Sequence, residues 1–276
     1  MIRGAGHAVV YQATTAADWD RALREPSDIV AVAGGDGIVG QVAKRVIGHG
    51  LPIAVLPMGT ANNIANALGL LDRPIHELIS GWTTARHQTF DTGIAVGPWG
   101  RRTFLEGLGV GLFADTMFRL DARKNVDIAH LNESGAKIAA VLEIMRARLD
   151  HSPAHFLNLA LDAQDLSGEY ILVEAMNIRS IGPNLDLAPA ADPRDGLFDI
   201  VLVSKDELPQ IREFLNDRLG KQIKPRARRG RQLRIDCPSL RIHIDDDLWP
   251  EMQAKPCAAA VEIHIEPESL FMLTPV

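Results

Sequence analysis

The sequence predicts an α/β N-terminal domain with a parallel sheet, followed by a mostly antiparallel β-sandwich domain. Up to about residue 87, continuous apolar runs alternate with stretches of helical periodicity, as parallel β/α units require. From Gln88 onward the apolar stretches are short, alternating and separated by turn residues, which suits antiparallel pairing. The 276 residues are 46% hydrophobic and 23% charged, enough to bury two modest cores. The expected division is residues 1–87 and 88–276, with the last residues returning to the first domain.

Taken in order, His7–Gln12 (HAVVYQ) reads as a short strand and Ala16–Leu23 as a helical stretch. Asp28–Ala33 (DIVAVA) reads as a strand buried on both faces. A glycine turn follows, and then Ile38, Val39, Val42, Val46 and Ile47 fall close to helical spacing. Leu51–Pro57 (LPIAVLP) is a second buried strand. The run GTANNIANALGLL then opens a helix, with Thr60 or Asn62 as its cap. In the second part, strands are expected at FDTGIAVG, RTFLEGLGVGLF, HFLNLALDA, YILVEAMNI, DIVLVS, QLRIDC, LRIHIDD and AVEIHIEP. Helical stretches interrupt them at Glu133–Leu149 and Asp206–Gly220.

Charge narrows the function. A net charge of −6 argues against nucleic acid as the main partner, since a phosphate backbone calls for a broad basic surface. The basic residues are nonetheless uneven: Lys221, Lys224, Arg226, Arg228, Arg229, Arg231 and Arg234 follow one another with no acid between. Such a run is either a solvated loop or a contact to anionic headgroups. Cys237 and Cys257 show no metal spacing, and reduced thiols in a cytoplasmic setting are expected. The start has no signal-peptide core, and no apolar run reaches the ~20 residues of a membrane span.

The sharpest signal is IVAVAGGDGIVGQVAKRVIG, Ile29–Gly48. Strand, glycine turn and helix aim backbone N–H groups and a helix N-terminus at an anion. It lacks GxxxxGK[ST], so it is not a P-loop, and GLGVGL at Gly107–Leu112 reads as a strand rather than a dinucleotide fingerprint. Asp36 among phosphates is tolerable if a divalent cation accompanies them; otherwise Asp36 is a helix cap. The LPMGTANN turn ends at the same carboxyl edge of the sheet, where open α/β sheets bind ligands.

GGDG followed by LPMGTANNIANALGL resembles the catalytic domain of diacylglycerol, sphingosine, ceramide and bacterial lipid kinases, a fold related to soluble NAD kinases. Asn177–Val203 is similar to the family's Asn, glycine turn and DGLLDV segment, and Arg241–Pro250 lies where the family has DGE. The resemblance implies that Gly34, Gly35, Asp36, Gly37, Ile38, Val39 and Gly40 cradle ATP phosphates, with Thr60 as a further nucleotide contact. It implies Asp245 as the general base toward a lipid hydroxyl and Mg²⁺ as the phosphate-bridging ion. A second, structural Mg²⁺ would take Asp195, with carbonyls from Asp192 and Leu197. Lipid metabolism, peripheral membrane contact through 221–234 and a lipid pocket involving Phe104–Phe118 follow from the same resemblance.

The chain departs from the family in three places. No Asn-Pro-x-Ser/Ala-Gly turn precedes GAGHAVVYQ, so the first β/α segment is expected to be absent. Ile38 stands where the family has Thr, and Asp245-Asp246-Asp247 stands for Asp-Gly-Glu. Two readings therefore stay open, a lipid kinase and a catalytically impaired relative that binds nucleotide or lipid; a soluble NAD kinase fits GTANN and DGLFD less well. The acids at 245–247 are otherwise a solvated hairpin tip and Asp195 a turn residue. His243 and His264, each between isoleucines, read as sheet residues rather than ligands.

Overall fold

The computed structural model describes residues 1–10, 13–15, 19–122, 134–216, 227–251, 255 and 258–276. The first part contains β1 (Val30–Gly34), α1 (Asp36–Val46), β2 (Ile53–Pro57), α2 (Asn63–Ala67) and α3 (Ile75–Ser80). It continues with β3 (Arg86–Gly97), β4 (Gly100–Phe104), β5 (Gly107–Gly111), α4 (Leu112–Ala122) and α5 (Ser134–Leu149). Then come β6 (His155–Leu161), β7 (Gln164–Asp165), β8 (Gly168–Tyr170), β9 (Leu172–Met176), β10 (Phe198–Val203) and α6 (Leu208–Asn216). The chain closes with β11 (Arg228–Gly230), β12 (Gln232–Cys237), β13 (Ile242–Ile244), β14 (Asp247–Trp249) and β15 (Ala259–Thr274).

An α/β N-terminal region and a mostly antiparallel sandwich are thus both present. β1 and β2 pair in parallel, and Val39, Val42 and Val46 of α1 pack on Val32, Ile53 and Val55 beneath them. One long strand joins the two parts: β15 pairs with β12 near its start, lies parallel to β2 at Met272, and runs antiparallel to β3. The β3–β15 ladder breaks at a bulge between Glu266 and Leu270. There the buried Asp91 carboxylate accepts N–H groups from Glu268 and Gly196, both at 2.8 Å, tying the bulge to the turn before β10. The residue 87/88 division falls inside β3.

The second sheet is antiparallel, in the order β11-β10-β9-β5-β13-β14. Alternation along β9 sends Val173 and Ala175 toward the first sheet, and Leu172 and Met176 toward α4, α5 and α6. Phe104 stacks on Phe198 at 5.6 Å within the inter-sheet core. Cys237 lies in that core, where burial pushes its thiol up to about 12. Cys257, like Lys221, Lys224 and Arg226, lies outside the described residues.

Several sequence expectations are corrected. Residues 7–10 form no strand, and 11–12 lie outside the described residues, as do 16–18 of the expected first helix; Trp19–Arg24 is a 3-10 turn. β1 is not buried on both faces: it is an edge strand, and Ala31 and Ala33 are exposed. The RTFLEGLGVGLF stretch is two strands joined by a turn at 105–106, and Leu112 begins a helix the alternation hid. The second long helix starts with a 3-10 turn at Lys205, capped reciprocally by Ser204 and Glu207, and is described to Asn216.

The two glycine turns pack back to back at the carboxyl edge of the parallel pair. Met58 N–H donates to Gly34 C=O at 3.0 Å, and a Cβ on Gly59 would stand 2.3 Å from Gly35 Cα. Gly59→Ala should therefore destabilise the fold by ~1–3 kcal/mol. Gly40→Ala, whose new methyl would meet nothing within 4 Å inside α1, should be neutral or stabilising by up to ~1 kcal/mol. Urea unfolding of the two variants beside the parent checks both signs.

Candidate active site

Four segments converge where the parallel pair meets the sandwich: the starts of α1 and α2, the β4–β5 turn, and the β13–β14 hairpin tip. Gly34–Gly40 cover the end of β1 and the opening turn of α1. Asp36 does not cap its own helix. Its Oδ1 accepts the Ile64 N–H at 2.9 Å, so it caps α2 across the cleft. This corrects the expectation that Thr60 or Asn62 caps α2. Asn62 adopts φ 57° and clamps Gly59 through its amide, at 2.8 and 3.0 Å, while Thr60 stays exposed. Ile38 leans over Gly34 and joins the apolar core, so the hydroxyl-free side chain has a packing role.

The hairpin tip is a two-residue turn whose first residue, Asp245, has φ 50°. Its carboxylate is fully engaged. Oδ1 accepts Leu105 N–H at 3.0 Å and Glu106 N–H at 2.9 Å, and Oδ2 faces Lys44 Nζ at 2.8 Å. Asp246 then sits against α1, its Oδ2 3.0 Å from where a Gly37 Cβ would stand. Glu106, buried at the centre, accepts Asn63 Nδ2 at 3.0 Å, and the same amide donates to Gly182 C=O at 3.0 Å. Asp36, Glu106, Asp245 and Asp246 thus crowd one cleft, with Lys44 bound to Asp245.

The crowding shows in the acidities. Burial first, then Asp36, Asp246 and Asp245, raise Glu106 well above the ordinary carboxyl range, with Asn63 opposing. Burial also raises Asp36, although backbone N–H groups of Ile64 and Asn63 work against it. Asp246 is pushed up to about 6 by lost hydration, then by Asp245, Asp36 and Asp247. It stands at the exposed rim, where water screens part of that repulsion.

The other expected ligands form a separate group at the turn before β10. Asp195 accepts Leu197 N–H at 3.0 Å and pairs with Arg229, which also approaches Asp199 at 3.5 Å. Asp192 holds Arg194 in a two-pronged pair at 2.6 and 2.7 Å. Among the described residues no three His, Cys, Asp or Glu side chains are arranged as a metal site. Arg229 and Arg234 of the basic run are used in ion pairs with neighbouring acids. Sequence reasoning missed Glu106, Asn63, Lys44 and Asp91. The one available signal was an acid inside an apolar stretch, in TFLEGLGV and again in FDTGIAVG.

Residues 3–95 match the sequence model of the diacylglycerol kinase catalytic domain. The chain is similar to diacylglycerol kinases. It is 27% identical over 267 residues to a diacylglycerol kinase of Mycobacterium tuberculosis, covering 92% of this chain and 79% of that one. A diacylglycerol kinase of Bacillus subtilis is 24% identical over 214 residues, covering 75% of this chain and 67% of its own. The crystal structure of a diacylglycerol kinase from Bacillus anthracis shares the fold, with a TM-score of 0.64 at 18% identity over 90% of this chain and 77% of that one. The motif resemblance and the fold class are borne out. Among the described residues no helix is long and apolar enough to cross a membrane.

The Asp246 acidity has a stability consequence. A carboxyl raised in the folded state binds its proton more tightly than the unfolded chain does. Its favourable contribution is therefore complete below about 4 and lost as pH rises through about 6. Asp246→Asn should remove that loss. Relative to the parent, the variant should gain about 2 °C in Tm between pH 4 and pH 7, the remainder after screening. Thermal melts across that range measure it.

Proposed function

We propose that this chain is an ATP- and Mg²⁺-dependent lipid kinase that moves the γ-phosphate to a lipid hydroxyl, on diacylglycerol or a sphingoid-base-like lipid. The observation that carries the reading is the meeting of two elements, the glycine turns of the α/β part and the Asp245 hairpin of the sandwich. Phosphates laid over Gly34–Gly40 would meet the N–H groups that open α1 and the positive end of its dipole. Thr60, exposed beside the second turn, is free to contact the nucleotide. The acceptor oxygen attacks the γ-phosphorus, ADP leaves, and Asp245 takes the hydroxyl proton.

The donor set fits Mg²⁺ at the glycine turn. Asp36 is a hard oxygen donor beside carboxylates, its charge helping to raise the pKa of Glu106 and Asp246, and a divalent cation would relieve that repulsion. Asp36 would hold the ion together with the nucleotide phosphates. The ion supplies charge neutralisation to the phosphoryl oxygens. At the turn before β10, a cation would compete with Arg229 for Asp195.

One observation favours the second reading, a relative that binds without transferring. Every acceptor direction of Asp245 near the turn is taken by Leu105, Glu106 and Lys44, so the base must release a partner to accept a proton. Label transfer from γ-labelled Mg·ATP into lipid separates the two. Mixed micelles carrying diacylglycerol, sphingoid base and ceramide should yield one labelled lipid. Asp245→Asn should lower that transfer by ~100-fold or more while ATP binding persists. ATP binding with no label in any lipid would favour the binding relative. Unchanged transfer in Asp245→Asn would remove Asp245 as the base.

A further inference from the structure

The alternating glycines of β5 have a purpose that lies behind Asp245. In the second sheet, Glu174 of β9, Gly109 of β5 and His243 of β13 are direct neighbours across three strands. A Cβ on Gly109 would stand 2.0 Å from Glu174 Oε2, so only glycine lets that side chain cross the middle strand. Glu174 Oε2 reaches His243 Nε2 at 2.6 Å, and both side chains are wholly buried. The imidazole's other nitrogen, Nδ1, lies 3.2 Å from the Asp245 carbonyl oxygen. Phe113 of α4 closes the ring edge-on at 4.8 Å.

The chemistry of these contacts fixes the protons. A carbonyl oxygen only accepts, so Nδ1 must carry hydrogen and donate to Asp245. Nε2 and a carboxylate oxygen at 2.6 Å then need one proton between them, because two bare lone pairs would repel. That proton resides on Glu174 or on the ring, and either way the Nδ1–H bond to the hairpin survives. Losing it would turn an attraction behind the hairpin into a repulsion.

We infer that Glu174 and His243 are positioning residues for Asp245, a buried proton-holding pair that fixes the hairpin tip. The inference rests on the proposed role of Asp245. Among the described residues, the charged groups facing the pair are few. Asp245 and Asp246 come from the hairpin, α4 contributes the uncharged Phe113, and β5 contributes only Gly109. Burial opposes an imidazolium here. The Glu174 carboxylate, its hydrogen bond and Asp245 together outweigh it and raise His243 above its ordinary value. Burial raises Glu174 as well. Both directions favour keeping a proton on the pair.

Two arms test the inference. In ¹⁵N-histidine spectra of the full chain at neutral pH, His243 should show Nδ1 protonated, with the remaining titration confined to Nε2 and its partner. In the transfer assay, Glu174→Ala should lower kcat at least ~10-fold with KM for ATP unchanged, by misplacing the base. Glu174→Gln can donate its amide N–H to Nε2 without a shared proton. It should recover most of that rate and hold it as pH rises, where loss of the shared proton should lower the parent's activity. A bare Nδ1 at neutral pH would overturn the inference. So would Glu174→Ala with the parent's rate and pH profile, or Glu174→Gln that rescues nothing while folding normally. If the parent itself transfers no phosphate to any lipid, the kinase reading fails, and the spectra alone still decide the state of the pair.

Discussion

The Asp245 carboxylate is the contact on which the cleft depends. It joins three segments distant in sequence: the β4–β5 turn through two backbone N–H groups, α1 through Lys44, and the hairpin that carries it. Without it, the two backbone N–H groups of the buried β4–β5 turn would be left unsatisfied at about 1–3 kcal/mol each, whereas the partly exposed Lys44 would turn to water. The same contact sets Asp246 against Gly37 and brings Glu106 beneath Asp36. One acid therefore determines where the others stand, and the strained positive φ at Asp245 is held by the bonds its side chain makes.

Close approach recurs throughout the site, and glycine is what permits it. Gly35 and Gly59 let two turns touch backbone to backbone, and Gly37 admits the hairpin. Gly109 lets Glu174 cross a strand to reach His243. Acids can gather in such a space only when cations, N–H groups or protons compensate them. Here Lys44, the first amides of α2 and the raised pKa of Glu106, which favours its protonated form, supply that compensation. In the proposed function a nucleotide arriving with its metal would replace part of it, and Asp36, which caps α2, would also meet the cation.

The local chemistry was legible wherever it was written in consecutive residues. GGDG after an apolar run announced β1, the turn and α1, and LPMGTANN announced the neighbouring turn. The alternation in YILVEAMNI and AVEIHIEP gave strands of the sandwich correctly. Edge position was not legible, because DIVAVA has the same composition whether one or both faces are covered; hence the exposed Ala31 and Ala33. The cap of α2 was missed because the acceptor that supplies it, Asp36, lies 28 residues away. Nothing local marked Lys44, in the last turn of α1, and Glu106 and Asp91 lay inside stretches expected to be strands, although Glu106 falls in the turn between two. Their roles arise from pairings 105 or more residues apart for Asp91 and about 140 for Glu106's turn, which no local pattern encodes.

The most direct test of this account is hydrogen exchange at the Leu105 and Glu106 amides. If the Asp245 carboxylate holds the β4–β5 turn to the hairpin, both amides should exchange as slowly as the core of β5. Replacing Asp245 by Ala should speed them selectively, with β10 unchanged. Exchange of both amides at the rate of an open turn in the parent, or no change on removing the carboxylate, would contradict the central role given to that contact.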